Sequence, residues 1–298
     1  MKILHVCAGW SPFNGAARIA LRIAREQRRQ GHEVSFAAWA KPSALRSADE
    51  VWMHCGWMPC LMWAGIFARR GVRVPEACYD PVRLAWHGWK KRLAGPFERF
   101  FLRRASRIVA TCPEEKRWIQ DYVGPRCPPV EVLDARRLFF LRPRGGAGRG
   151  SPVARAASGE NPPRVLYMGR RHPLKGLDVL EEAVSRIPGA RLEIVSDAQG
   201  AEKDAAFARC DVFCLPTLSD NFGIVVAEAL ERGCPAIVTD GAPAWKDEPA
   251  LDADGNVRLV YVEGFRAASR GRRVELLADA LARFARGGRP VKSSTSPA

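Results

Sequence analysis

Asp220-Asn221-Phe222-Gly223-Ile224-Val225-Val226-Ala227-Glu228 sets two carboxylates either side of seven residues, with a Phe-Gly pair just after the first. The apolar block 211–217 precedes it, and Ala229-Leu-Glu-Arg-Gly-Cys-Pro-Ala-Ile-Val238 follows. The order reads strand, loop, helix, strand. A loop that leaves a parallel strand and feeds a helix N-terminus is where α/β proteins hold anionic ligands. With Asp220 in that loop and Glu228 two turns into the helix, both carboxylates reach the hydroxyls of one ligand. The pattern points to an enzyme acting on a phosphorylated, hydroxyl-rich molecule.

A second stretch supports this. Tyr167-Met168-Gly169-Arg170 ends a strand, and Lys175-Gly176 precedes the next helix. Two cations at a strand C-terminus can neutralise a diphosphate, Arg170 by a bidentate grip. A solvated basic turn is the alternative. Isolated carboxylates are ordinarily solvated too. The apolar flanks of Glu228 argue instead for a buried acid that needs a partner.

The chain has 298 residues and nine cysteines, with no CxxC pair or regular cysteine framework. Reduced thiols in a cytosol-like compartment are expected. Residues 1–7 read as a buried strand, too short for a secretory core. Residues 51–68 carry no formal charge, but His54, Gly56 and Pro59 interrupt them, so they read as a buried strand and helix rather than a membrane span. His5, His54 and His87 lack metal-ligand spacing, and no metal or cofactor is expected.

The net charge of +15 lies in one half: residues 1–150 hold 27 Lys and Arg against 12 Asp and Glu, and the remainder holds 20 of each. Such a half faces something anionic: a membrane, a nucleic acid or an acidic substrate. No helix-turn-helix, zinc or RNA-binding signature accompanies it, so nucleic acid is not expected. Trp89–Arg104 reads as a basic helix with interleaved aromatics, split by Gly95-Pro96. It suits either an anionic membrane surface or an ordinary solvated face.

The organisation is β-α-β throughout, interrupted at 143–163 by a Gly-, Pro- and Arg-rich linker. The expected domains are 1–142 and 164–290, with a disordered tail at 291–298. The fold class is α/β: two Rossmann-like doubly wound domains facing across a cleft, in shortened form. Strand 72–74 looks truncated.

Taken together, Gly169-Arg170…Lys175-Gly176, (Asp/Glu)-x-Phe-Gly-x4-Glu-Ala-Leu and Gly-x-Pro-x-Ile resemble the C-terminal domain of family 4 (GT-B) glycosyltransferases, and the fuller text resembles the lipopolysaccharide and surface-polysaccharide subgroup. Pro75–Pro81 and Trp89-Lys-Lys are similar to blocks of that subgroup's first domain. The resemblance covers most of 1–245. It implies a retaining, metal-independent transfer of a hexosyl or other sugar from a nucleotide-sugar donor to a glycan or lipid-linked acceptor, at the cytoplasmic face of a membrane.

Carried over residue by residue, Arg170 and Lys175 stabilise the leaving diphosphate, Glu228 binds the donor ribose, and Asp220 contacts the donor sugar. Amides around Asn221, Phe222, Gly223 and Ile224, with Gly169 and Gly15, approach the donor. Asn14, in the 13–16 loop, and Glu76 lie on the acceptor side. The chain also departs from the family. Asp220 stands for Glu, Gly15-Ala16 for Gly-Gly, and Glu76 for a His, which puts an anion beside the leaving diphosphate. The stretch 196–210, normally base-binding, is short. A non-catalytic GT-B-fold protein that binds nucleotide sugar or glycan is the alternative.

Overall fold

The computed structural model describes residues 1–11, 14–55, 58–139, 163–220, 222–249 and 258–285. The expected tail, Asn221, and the expected linker apart from Pro163 fall outside these. The chain divides into two compact units, Met1–Leu138 and Phe139–Ala298.

The first unit is built on a parallel sheet of β1 (Lys2–Val6), β2 (Glu33–Ala37), β3 (Glu50–His54), β4 (Gly71–Val74), β5 (Arg107–Ala110) and β6 (Val130–Val132), in the order β2-β1-β3-β4-β5-β6. Its helices are α1 (Gly15–Arg29), α2 (Pro42–Ser47), α3 (Pro59–Phe67), α4 (Pro81–Arg103) and α5 (Pro113–Val123). All five residues of β3 are buried, as in strands covered on both faces. In α1, Ala16, Ala20, Ile23, Ala24 and Gln27 form the buried stripe, and Gly31 follows it at φ +85°, where the helix stops.

Two expectations change here. Strand β4 is not truncated: it pairs in parallel with β3 on one side and β5 on the other. The basic helix begins at Trp89 as expected, after a kink at Gly88 (φ 41°, ψ −115°) that joins it to a short preceding helix, but it runs unbroken through Gly95-Pro96. Pro96 and Arg92, whose carbonyl the proline ring leaves unpaired, are both exposed, so water can serve that carbonyl and the helix continues.

The second unit holds β7 (Arg164–Met168), β8 (Arg191–Val195), β9 (Val212–Leu215), β10 (Ala236–Thr239) and β11 (Leu259–Val262), parallel and in the order β11-β10-β9-β7-β8. Its helices are α6 (Leu177–Ser185), α7 (Gly200–Arg209), α8 (Ile224–Glu231) and α9 (Arg270–Ala285). Leu180 and Ala183 of α6 share one buried core with Leu277, Leu281 and Phe284 of α9.

Each unit reverses direction beside its first strand. Strand β1 has β2 and β3 as neighbours, and β7 has β8 and β9. The crevices beyond the carboxyl ends of β1/β3 and β7/β9 are therefore topological switch points, where doubly wound sheets bind ligands. No helix among the described residues is long and apolar enough to cross a membrane. The uncharged 51–68 region instead supplies β3 and α3.

Candidate functional site

Beyond β7 the chain makes a short 3-10 turn at Pro173–Lys175, capped by His172, whose ring Nδ1 accepts from the Leu174 amide at 3.2 Å. Gly176 follows in the left-handed region (φ 62°), and a Cβ there would lie 2.1 Å from the Pro216 carbonyl oxygen. Only glycine lets the β7 loop touch the β9 loop so closely. The two loops are then stitched together: the Leu218 amide and the Thr217 hydroxyl donate to the Leu174 carbonyl at 2.8 and 3.0 Å.

The far side of the β9 loop is held as firmly. The Asp220 amide donates to the Gly241 carbonyl at 2.7 Å, and the Thr239 hydroxyl to the Thr217 carbonyl at 2.6 Å. Beneath it, Trp245 packs on Phe222 with ring centroids 5.0 Å apart and donates its indole N–H to the Phe222 carbonyl at 2.5 Å. Gly223, left-handed at φ 63°, turns the chain into α8.

This scaffold brings Lys175 and Asp220 into a direct ion pair at the β7/β9 switch point. Tyr167 lies behind them and donates to the Arg170 carbonyl at 3.0 Å. Burial, then the Asp220 charge, pushes its phenol up to about 12. Arg170 is exposed on the same loop and forms no ion pair with a described residue. Gly169 stands at the turn out of β7, its amide bonded to the Val195 carbonyl at 2.9 Å.

Glu228 is the fifth residue of α8, so it lies one turn into the helix rather than two. It is buried, and its Oε2 stands 2.6 Å from Nζ of Lys203 on α7, an ion pair by distance that is not aligned as a hydrogen bond. Lys203 was not anticipated as a site residue. Its signal was legible: Lys203, Ala206, Phe207 and Cys210 follow i, i+3, i+4, i+7, and a lysine in an apolar helical register implies a buried partner.

The first unit carries a different constellation at its own switch point. Gln27 of α1, His5 of β1, His54 of β3 and Glu76 beyond β4 form a buried row. His5 Nε2 meets Gln27 Oε1 at 2.7 Å, His5 Nδ1 meets His54 Nε2 at 2.8 Å, and His54 Nδ1 meets Glu76 Oε1 at 3.3 Å. Gln27 Oε1 can only accept, so His5 Nε2 carries a proton, its Nδ1 accepts from His54, and His54 Nδ1 accepts from Glu76. Burial drives both imidazoles down to about 3, hence neutral, and raises the Glu76 carboxyl well above its usual range.

Burial favours the neutral form of Glu76, the form in which its carboxyl donates to His54 Nδ1, and disfavours the anion expected at that position. Glu76 and Ala77 both have positive φ (55° and 56°), and Glu115 holds the turn by accepting from the Ala77 amide at 2.6 Å. Asn14 caps α1: its Oδ1 accepts from the Ala16 amide at 3.0 Å and its Nδ2 donates to the Gly9 carbonyl at 2.7 Å. Gly15 is the first helical residue. Phe13 lies outside the described residues. Among the described residues no cluster of His, Cys, Asp and Glu could hold a metal ion.

Comparison with known proteins gives this geometry a family context. Residues 36–134 match the family model of a glycosyl transferase 4-like domain, and residues 190–248 that of glycosyl transferases group 1. Each unit thus contains a stretch that matches a glycosyltransferase family model.

The second glycosyltransferase match contains Asp220 and Glu228; the first contains His54 and Glu76. Among curated proteins, the chain is 30% identical over 132 residues to a sulfoquinovosyl transferase of Arabidopsis thaliana, covering 37% of this chain and 26% of that one. It is 27% identical over 183 residues to a D-inositol 3-phosphate glycosyltransferase of Segniliparus rotundus, covering 49% and 39%. The matched regions thus span about a quarter to two fifths of those relatives.

Among solved structures, a sucrose-phosphate synthase from Thermosynechococcus elongatus superposes with a TM-score of 0.66 at 14% identity, covering 96% of this chain and 91% of that one. WaaG, a glycosyltransferase involved in lipopolysaccharide biosynthesis, gives 0.57 at 16% identity, covering 96% and 93%. Anabaena HepE, solved with UDP and glucose, gives 0.61 at 15%, covering 95% and 94%. These likenesses are of fold: two parallel-sheet, Rossmann-like α/β domains of the GT-B type.

Proposed function

We propose that the chain is a retaining glycosyltransferase that moves a sugar from a nucleotide-sugar donor to a glycan, its donor site lying at the β7/β9 switch point. The observation that carries this reading is the convergence there of Lys175 and Asp220 on two loops pressed together at Gly176. Arg170 and Lys175 take the donor's diphosphate, and Lys175 stabilises charge as it builds on the leaving group. Asp220, released from Lys175, accepts from hydroxyls of the donor sugar. Glu228, steadied by Lys203, accepts from the ribose. Gly169, Gly223 and Ile224 keep the backbone low against the donor, and no metal is required.

The first unit takes the acceptor side. A protonated Glu76 is compatible with a leaving diphosphate, whereas an anion would repel it. Helix α4 supplies a further clue: Trp86, Trp89, Leu93, Phe97 and Phe100 are exposed, and Lys90, Arg92, Arg103 and Arg104 are exposed beside them. Aromatic side chains interleaved with cations suit the interface of an anionic bilayer. This supports a lipid-linked acceptor, surface-polysaccharide or lipopolysaccharide synthesis, and a peripheral position at the cytoplasmic membrane face.

A thermal-shift screen of UDP-, GDP- and ADP-sugars, followed by turnover assays, tests the reading. One donor should raise the melting temperature by mass action and be consumed, and Lys175→Ala should remove both effects. If no nucleotide sugar binds or is hydrolysed, the reading fails. A second reading is a non-catalytic donor-binding protein. It is favoured by the burial of Glu76 in the histidine row, where its carboxyl is turned to His54. Binding without turnover would select it.

A further inference from the structure

Arg73 is the third residue of β4 and is 3% exposed, yet among the described residues it belongs to no ion pair and its Nε and Nη2 find no hydrogen-bond partner. Buried guanidinium groups are ordinarily paired, because an uncompensated charge inside a protein is costly. Burial lowers the Arg73 pKa to about 10, which still leaves it a cation at neutral pH. Its placement is firm: a Cβ at Gly65 of α3 would lie 2.7 Å from Arg73 Nη2, so the guanidinium is seated against the helix backbone.

A second buried donor belongs to Tyr79, which lines the same small cavity as Arg73. The Tyr79 hydroxyl is without a partner, and its ring is fixed by stacking on Tyr122 at 4.3 Å between centroids. Arg73, Tyr79, Cys55, Glu98, Met62 and Phe101 are among the lining residues. The nearby acid is already committed: Glu98 Oε1 accepts from Lys91 at 2.7 Å and Oε2 from the Tyr122 hydroxyl at 2.5 Å. Cys55 on the wall is held as a neutral thiol by its contact with Cys78 and by burial. Arg73, Lys91 and Glu98 together leave one positive charge.

The centre of a water-sized probe has about 10 Å³ of room in the cavity, which suits a small occupant. We propose that Arg73 and Tyr79 bind a single chloride ion in the interior of the first unit. The ion accepts from the guanidinium and the phenol, cancels the local charge, and joins β4 to the packing of α3 and α4. The site is separate from the donor site and does not depend on it.

The full-length chain, purified without halide, tests this by thermal melting in sodium chloride against sodium gluconate at equal ionic strength. Chloride should raise the melting temperature saturably, and so should bromide. Arg73→Met should abolish the difference. Tyr79→Phe, which keeps the packing, should raise the half-saturating chloride concentration at least about tenfold, the worth of a hydrogen bond to an ion. Crystals soaked in bromide should show anomalous density beside Arg73. Identical melting in the two salts would overturn the proposal and leave water in the cavity. A chloride effect unchanged in Tyr79→Phe would overturn it too, by putting the ion elsewhere.

Discussion

Replacing Glu76 by Gln tests the proton arrangement of the buried row. The carboxyl donates to His54 Nδ1, and a glutamine amide N–H2 can donate to the same atom. The folded pKa of Glu76 lies well above its ordinary 4.5, so the folded state holds this proton longer than the unfolded chain does. Its contribution to stability is present below pH 4.5 and is lost as pH climbs through the folded value, at about 1.4 kcal/mol per pH unit for one proton. His5 and His54 act in the opposite sense. Their folded values near 3 lie below the ordinary 6.5, so their contribution is present above 6.5 and is lost as pH falls toward 3.

Above pH 6.5 the histidine contributions are flat, so the Glu76 contribution, which falls with rising pH, is read there without them. Glu115 and Arg83 are common to wild type and variant, whereas Cys7, Cys55 and Cys78 feel the Glu76 charge, so the difference between the two proteins reads Glu76 together with its effect on those thiols. Urea midpoints measured from pH 6.5 to 9 should fall more steeply in wild type than in Glu76→Gln, by up to about 1.4 kcal/mol per unit until the carboxyl ionises. Glu76→Ala, which removes the donor, should lose about 1–3 kcal/mol at pH 6.5. Parallel wild-type and Glu76→Gln profiles would refute the reasoning: Glu76 would then be ionised, and the row would run the other way.

Lys203→Met should cost about 3–5 kcal/mol in urea unfolding, because it takes the lysine from a buried carboxylate, and Lys203→Met/Glu228→Leu should recover much of that; equal losses in single and double variants would argue against the pair. Gly176→Ala should destabilise by more than the roughly 1 kcal/mol of a strained left-handed alanine, since the Cβ also meets the Pro216 carbonyl, and calorimetry should show donor affinity falling with it. Trp89→Ser/Phe97→Ser should reduce cosedimentation with phosphatidylserine vesicles while leaving the melting temperature nearly unchanged, since both side chains are exposed; undiminished binding would remove α4 from the membrane account.

The architecture of the β7/β9 switch point was readable because it rests on local patterns. A strand, a turn glycine, a cation pair and a Phe-Gly helix start are adjacent in sequence, and the switch-point rule says what they do together. What could not be read depends on distant contacts. Lys203 meets Glu228 only because α7 lies beside α8. His5, His54 and Glu76 come from three parallel strands or their ends, and their mutual burial, not their spacing, decides where the proton resides. Pro96 signalled a break that exposure made unnecessary, whereas the expected start at Trp89 coincides with the kink at Gly88. Arg73 looked like one more basic residue in a basic half until its neighbours were known to leave it uncompensated.

The contact between Lys175 and Asp220 has a kinetic consequence. A cation and an anion that touch cancel at a distance, so this part of the site projects little field into solution. Attraction of a dianionic ligand from afar then falls to exposed cations of the same loop, with Arg170 foremost, since Arg171 shares its charge with Glu181. For the proposed donor, arrival and grip then fall to different residues: ionic strength should slow association through Arg170, while dissociation should follow how readily Lys175 exchanges one oxygen partner for another.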